Sequence, residues 1–204
     1  MEKKTIKDIE LSGKKVLVRV DYNVPMDKAG GITDDTRIRA TLPTLKYLLE
    51  KNAAIILASH LGRPKGKPAL EFSLAPVAKR LSELLQQDVV FAPDCVGPAA
   101  EAMAKDLRPG QVLMLENLRF HAEEEANDAD FSRRLASLGE VLVNDAFGVS
   151  HRAHASVAGV TEYLPAVAGF LMEKEIAFLS RAALRPEHPY VAIMGGVKVS
   201  DKIG

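Results

Sequence analysis

The feature that most constrains this chain is a series of short, nearly unbroken apolar runs separated by stretches of helical period. The runs are "KKVLVRVDYN", "AAIILASH", "DVVFAPD", "QVLMLENLRF", "EVLVNDAFG" and, near the end, "PYVAIMGG". Strands that are apolar on both faces suit a parallel sheet covered on both sides, because an antiparallel sheet with one wet face would alternate. Between Ser73 and Gln87, Leu74, Val77, Ala78, Leu81, Leu84 and Leu85 fall on one stripe of a 3.6-residue period, which predicts an amphipathic helix. In "VGPAAEAMAKDLRPG", Pro98 stands near a first turn and Gly110 after a last one. Thr33, Asp34 and Asp35 are expected to supply the cap and first-turn carboxylates of a helix running through Leu49. Strand and helix thus alternate, which predicts an α/β, doubly wound (Rossmann-like) parallel sheet with helices on both faces.

The stretch "LPAVAGFLMEKEIAFLSRAALRPEHP" predicts one long helix ending before Pro186, with Met172 and Phe178 in the core. "PYVAIMGG" then restarts the strand pattern. The expected division is a first domain over 1–170, a bridging helix and hinge over 171–188, and the start of a truncated second domain over 189–204. A lone final strand would leave its edges unpaired, so an artificial end at Gly204 is expected.

Composition narrows the function. Twenty-seven basic residues balance 27 acidic ones, which argues against a nucleic-acid partner, although a cleft can still focus a local basic field. The single cysteine, Cys95, cannot form an internal disulfide, so a reducing, cytoplasmic setting is expected. The opening "MEKKTIKDIE" has charges where a signal peptide needs an apolar stretch. No apolar run approaches the roughly 20 residues that span a bilayer. A soluble monomer without membrane contact is the expectation.

In open parallel sheets, ligands bind outside the carboxyl ends of the strands. There the sequence delivers Asp21 and Asn23 after the first run and Ser59, His60 and Arg63 after the second. The fourth supplies Glu116, Asn117 and Arg119, and the fifth leads to His151, Arg152 and His154; Arg37 opens the first helix. The third run gives no cation, and the order of the strands along the sheet is not readable from the sequence. Converging arginines repel one another unless an anion neutralises them, and Asp21 and Glu116 are too few for four. The implied ligand is a small molecule with more than one negative charge, such as a phosphorylated acid. Taken singly, each arginine could be a salt-bridged surface residue, Asp21 could cap a turn and Asn23 could form an Asx bond before Pro25. "HRAH" lacks a carboxylate or cysteine partner at metal-binding spacing, so no metal site is expected; His121, His154 and His188 are read as structural. "GRPKGKP" has proline where a Walker loop needs Ser or Thr, and is read as a solvated loop tip. The G-x-G-x-x-G fingerprint of a dehydrogenase is missing after the first strand.

The ordered stretches "VRVDYNVP", "DDTRIRA", "SHLGRP", "SLAPVA", "DCVGP", "MLENLRFH", "VNDAFGVSHRAHAS" and "GGVKVSDK" resemble the phosphoglycerate kinase family of bacterial type, from about Lys14 to Gly204. The resemblance implies an N-terminal domain that binds 3-phosphoglycerate and a C-terminal one that binds Mg-ATP or Mg-ADP. Phosphate would pass between 1,3-bisphosphoglycerate and ADP. By motif, Asp21, Tyr22 and Asn23 would hold the hydroxyl and carboxylate end of the substrate. His60, Leu61, Gly62, Arg63, Arg119 and Arg152 would surround its phosphate, and Arg37 would steady the moving phosphoryl group. Gly195, Gly196, Lys198 and Lys202 would approach the nucleotide, with Arg37, Lys198 and Lys202 as the catalytic residues. The departures are mild: "GVSHRAH" stands for the usual "GTAHRAH", and "GGVKV" for "GGAKV". The alternative is a catalytically inactive fragment that binds phosphorylated carboxylic acids.

Overall fold

The computed structural model describes residues 3–184, 186–191 and 193. Its contacts divide the chain into two compact units, Met1–Glu173 and Lys174–Gly204. In the first unit the apolar runs become strands β1 (Lys15–Val20), β2 (Ala54–Ala58), β3 (Val89–Phe91), β4 (Val112–Met114), β5 (Val141–Asp145) and β6 (Ala166–Ala168). All pair in parallel, in the order β3-β4-β2-β1-β5-β6. The helices are α1 (Thr36–Glu50), α2 (Ala75–Leu85), α3 (Pro98–Asp106), α4 (Ala122–Glu125), α5 (Ala129–Ala136) and α6 (Phe170–Leu184).

Side chains alternate across a strand, so each strand feeds two cores. Val16, Val18, Ile55, Leu57, Val112 and Val143 pack on one face against Ile38, Leu45 and Leu48 of α1 and Val77 and Leu81 of α2. Leu17, Ile56, Leu113 and Leu142 point the other way, onto Ala100 and Ala104 of α3 and Phe131 and Leu135 of α5. The sheet is therefore doubly wound, with helices on both faces. Burying one such Leu or Ile contributes about 1.5–3 kcal/mol, which is why these runs tolerate almost no polar residue.

The exception is Arg19. It shares the face of Leu17, lies opposite Ala58 and Asn144 in the register, and is 1% exposed. A charge placed there at the carboxyl end of β1 marks where the structure changes from packing to chemistry.

Several boundaries differ from the sequence-based expectation. The segment read as one long helix from Leu164 onwards begins instead with strand β6, and Gly169 separates it from α6. Ala168 is held on its outer side by the N-terminal segment, where Ile6 N donates to Ala168 O at 3.0 Å and Ala168 N donates to Lys4 O at 2.9 Å. A three-residue strand carries no period, so only its tertiary pairing, with β5 on one side and the N-terminal segment on the other, reveals it. Helix α1 starts at Thr36 with Asp35 at its N-cap but without a side-chain cap, because Asp35 is turned to Arg39 and Arg80; Asp34 accepts the Thr36 N–H at 2.8 Å instead. Helix α3 stops at Asp106, three residues before Pro109, and Gly110 belongs to the following turn with φ +82°.

Met172 is buried as expected, but Phe178 is 65% exposed. It lies in the second unit, where Leu179 and Leu184 are also exposed and no sheet stands among the described residues for them to pack on. Tyr190, Val191 and Ile193 are exposed, and the rest of "VAIMGG" and everything beyond it fall outside the described residues, as do Gly195, Gly196, Lys198 and Lys202. No helix among the described residues is long and apolar enough to cross a membrane.

Candidate anion-binding site at the rim of the sheet

The four central strands end in one place. A cavity of about 300 Å³ is lined by Asp21 and Asn23 after β1, His60, Gly62 and Arg63 after β2, and Arg119 after β4. Gly148, Val149, His151 and Arg152 after β5 and Arg37 from the first turn of α1 complete it. Edge strand β3 sends nothing to it. Four guanidinium groups thus face one carboxylate, an excess of positive charge that a small anion with more than one charge would neutralise.

The pocket is cross-tied through backbone. Asn23 Oδ1 accepts the Gly62 N–H at 2.8 Å, and Arg119 Nη1 donates to Gly62 O at 2.9 Å, so the loop after β2 is pinned from both neighbouring strands. Gly62 sits at φ +62°, and a Cβ there would lie 2.3 Å from the Phe72 ring, so both the left-handed turn and the close approach require glycine. Asp21 Oδ2 accepts from Arg37 Nη1 at 2.6 Å, which holds the Arg37 side chain over the rim although it is 52% exposed. Arg119 is buried, and among the described residues its Nε has no hydrogen-bond partner; Glu125 Oε1 lies 3.3 Å away but out of line for a bond. Burial, and then the positive charges of Arg152 and Arg63, push its pKa below the usual arginine value against the pull of Glu125 and Glu124. An unsatisfied donor on a crowded cation is the kind of group that a ligand oxyanion satisfies.

Beneath this layer lies a second one that sequence reasoning missed. Arg19 Nε donates to Ser156 Oγ at 2.8 Å, Nη1 donates to Val20 O, and Nη2 reaches His60 Nδ1 at 3.3 Å. Ser156 Oγ donates to Glu124 Oε1 at 2.6 Å, and Ser156 N donates to Glu124 Oε2 at 2.9 Å. Glu124 is fully buried, so Arg19 and Glu124 form a solvent-free ion pair relayed through a hydroxyl. A guanidinium has only donors, so His60 Nδ1 is the acceptor and Nε2 carries the ring proton. Burial, reinforced by Arg19 and Arg119, drives the His60 pKa from 6.5 to about 2, so the ring is neutral. His154, 3.9 Å from Glu124, is also pushed down, chiefly by burial. The signal was present: an arginine inside the otherwise apolar "VLVRV".

Two residues assigned to the site by motif do not line the cavity. Tyr22 is buried, its hydroxyl 2.6 Å from Thr41 Oγ1, and Leu61 is buried with its carbonyl accepting from Asn117 Nδ2 at 2.7 Å. Glu116 also turns away: its carboxylate accepts from Ser73 Oγ, Leu74 N and Asn117 N, and so caps the start of α2. "GRPKGKP" is only partly solvated, since Gly66 N donates to Arg119 O at 3.2 Å and Pro64 is buried. A wider depression of about 1070 Å³ runs between α1 and α2, but its arginines are already paired, Arg39 with Asp35 and Arg80 with Asp35 and Glu83. It offers an anion much less than the rim pocket does.

Known proteins resemble the chain along nearly its whole length. A sequence model described as phosphoglycerate kinase matches residues 6–204. The chain is 62% identical over 203 residues to the phosphoglycerate kinase of Moorella thermoacetica and 58% identical over 204 residues to that of Desulforudis audaxviator. All of the chain is covered, against 51% and 52% of those proteins, so it spans about half the length of the curated relatives it matches. Among solved structures, phosphoglycerate kinase from Coxiella burnetii superposes with a TM-score of 0.86 at 41% identity, covering 99% of this chain and 50% of that one. The enzyme from Pyrococcus horikoshii OT3 gives 0.89 at 38% identity, over 97% and 50%.

Proposed function

This chain belongs to the phosphoglycerate kinase family, and from that premise we propose that its rim pocket holds 3-phosphoglycerate for reversible phosphoryl exchange with a nucleotide. The observation that carries this reading is the convergence of Arg37, Arg63, Arg119 and Arg152, from four separate segments, on one cavity with a single carboxylate. Arg63, Arg119 and Arg152 grip the phosphate. Asp21 and Asn23 orient the hydroxyl and carboxylate end, and Tyr22 and Leu61 act through the backbone around them. His60, neutral, offers its remaining ring N–H as a donor without adding charge.

Phosphoryl transfer depends mainly on positioning and on stabilising charge over the moving group. The acceptor is a carboxylate, ionised near neutral pH, so no general base is needed. Arg37 is suited to steady the phosphoryl group: it is tethered to Asp21 yet half exposed, and so reaches beyond the pocket. The magnesium complex of ADP or ATP is the second substrate. By resemblance it falls to Gly195, Gly196, Lys198 and Lys202, with Lys198 and Lys202 catalytic alongside Arg37. The proposed division is an acid-binding domain over 1–170, a connecting helix and hinge over 171–188 and nucleotide-binding sequence over 189–204. The whole enzyme works as a cytoplasmic, monomeric glycolytic kinase. The 204-residue chain by itself binds the acid and has negligible turnover.

The test is calorimetry of the purified chain with 3-phosphoglycerate, glycerate and inorganic phosphate. The reading expects saturable binding of 3-phosphoglycerate, tighter than either part alone and weakened by salt. Equal, weak responses to all three would remove it, and ATP turnover by the chain alone would remove the claim of inactivity.

A further inference from the structure

A second cluster of chemically able side chains lies on the α3 face, outside the anion pocket and unused by it. Asp94 and Cys95 stand between β3 and α3, and His121 follows the turn after β4. One donor atom from each lies within 4.8 Å of the other two. His121 Nε2 is 2.6 Å from Asp94 Oδ1, which also accepts the Cys95 N–H at 2.7 Å. Cys95 is fully buried and forms no disulfide. Asp94 and His121 open on a separate cavity of about 360 Å³, which supplies a route in and room for a solvent ligand.

We propose that Asp94, Cys95 and His121 form a binding site for a divalent transition-metal ion of the zinc class. Thiolate, imidazole and carboxylate are the ligand types such an ion takes, in a tetrahedron completed here by water from the cavity. Metal–ligand bonds of about 2.0–2.3 Å put neighbouring donors roughly 3.3–3.8 Å apart, so the sulfur must approach and the His121–Asp94 pair must open slightly. Asp94, at the cavity mouth, can make that adjustment.

Charge balance favours the site. A dication with one thiolate, one carboxylate and a neutral imidazole is neutral overall, so burying it strands no net charge. Binding forms the sulfur–metal bond and releases the thiol proton to solvent. A cysteine thiol ordinarily keeps its proton near neutral pH, so binding of the metal is coupled to the loss of that proton. The ion would tie the segment after β3 to the turn that carries Arg119, two residues before His121. The site stands on its own geometry and does not depend on what the rim pocket binds.

The experiment is titration of the reduced chain with Co²⁺, read by absorbance and by proton release in weak buffer, followed by displacement with Zn²⁺. One ion per chain is expected, with a thiolate-to-cobalt charge-transfer band and about one proton released per ion. Losing an outer-shell partner already costs 10–100-fold in affinity, so Cys95→Ser and His121→Ala should each weaken binding by about 100-fold or more. Cys95→Ser should also abolish the band. His121 is only partly buried, so His121→Ala decides the matter if the cysteine variant does not fold. Cobalt bound without the band, unchanged affinity in His121→Ala, or no binding at all would overturn the proposal.

Discussion

Arg19 Nη2 lies 3.3 Å from His60 Nδ1, and this one contact joins the buried layer to the pocket above it. It fixes the tautomer of a histidine that burial keeps neutral, and it sets a cation under a cavity that already has four. The cost of holding Arg19 there is offset by Glu124, through Ser156.

Replacing Arg19 should therefore leave Glu124 as an uncompensated buried charge. Arg19→Met is expected to destabilise the chain by about 3–5 kcal/mol in urea unfolding. Glu124→Gln in the same background should restore a substantial part of that loss, because the stranded charge is gone. A double variant no more stable than Arg19→Met would mean that the two groups are not coupled.

The arginines of the upper layer act differently, since they face a ligand rather than a protein partner. Arg63→Ala and Arg152→Ala should each weaken 3-phosphoglycerate by about 1.5–3 kcal/mol, the worth of a charge-assisted bond, or roughly 10- to 150-fold. Binding of glycerate should barely change. Calorimetry on both ligands separates phosphate reading from folding, because an equal loss on both would assign these side chains to the scaffold.

His60 and His154 give the chain a pH signature. Their folded pKa values are depressed, so the unfolded chain binds more protons than the folded one as pH falls below the ordinary value of about 6.5. Their contribution is complete above pH 6.5 and is lost on acidification, for His60 down to about 2. His60 should cost about 1.4 kcal/mol per pH unit below 6.5, and His154 adds to the loss in the same direction. Urea unfolding between pH 6.5 and 4.5 should show this slope, and His60→Gln should reduce it. An unchanged slope would mean that His60 titrates alike in both states.

The rim pocket could be anticipated because its makers stand directly after apolar runs, where a parallel sheet presents its ligands. Asp21, Asn23, His60, Arg63, Arg119 and Arg152 share that position, and their runs are the four central strands. What escaped had no local signature. Strand β6 is three residues of "AVA", defined by what pairs with Ala168 rather than by its own pattern. Glu116 follows β4 as Arg119 does, yet it turns to cap α2, since a carboxylate beside an open helix N-terminus has a closer use than the pocket. Tyr22 sits between two cavity residues, but its neighbours point to the cavity and it points to the core, as alternation requires.

The start of α6 rests on Asp145, whose Oδ1 accepts the Leu171 N–H at 2.9 Å and the Met172 N–H at 3.2 Å. Gly169 makes this possible, since a Cβ on it would lie 2.4 Å from that same Oδ1 and 2.5 Å from Cγ. The atoms met belong to a buried, hydrogen-bonded carboxylate, so they cannot move aside without breaking the cap. Asp145→Ala is expected to cost about 1–2 kcal/mol, the usual worth of a lost cap. Gly169→Ala should cost at least as much, although it removes no polar group, because it expels the carboxylate from its place. Both variants should speed amide exchange at Leu171 and Met172 while leaving β1 and β2 protected. If Gly169→Ala proves neutral, the glycine is not what admits the Asp145 carboxylate to the helix start.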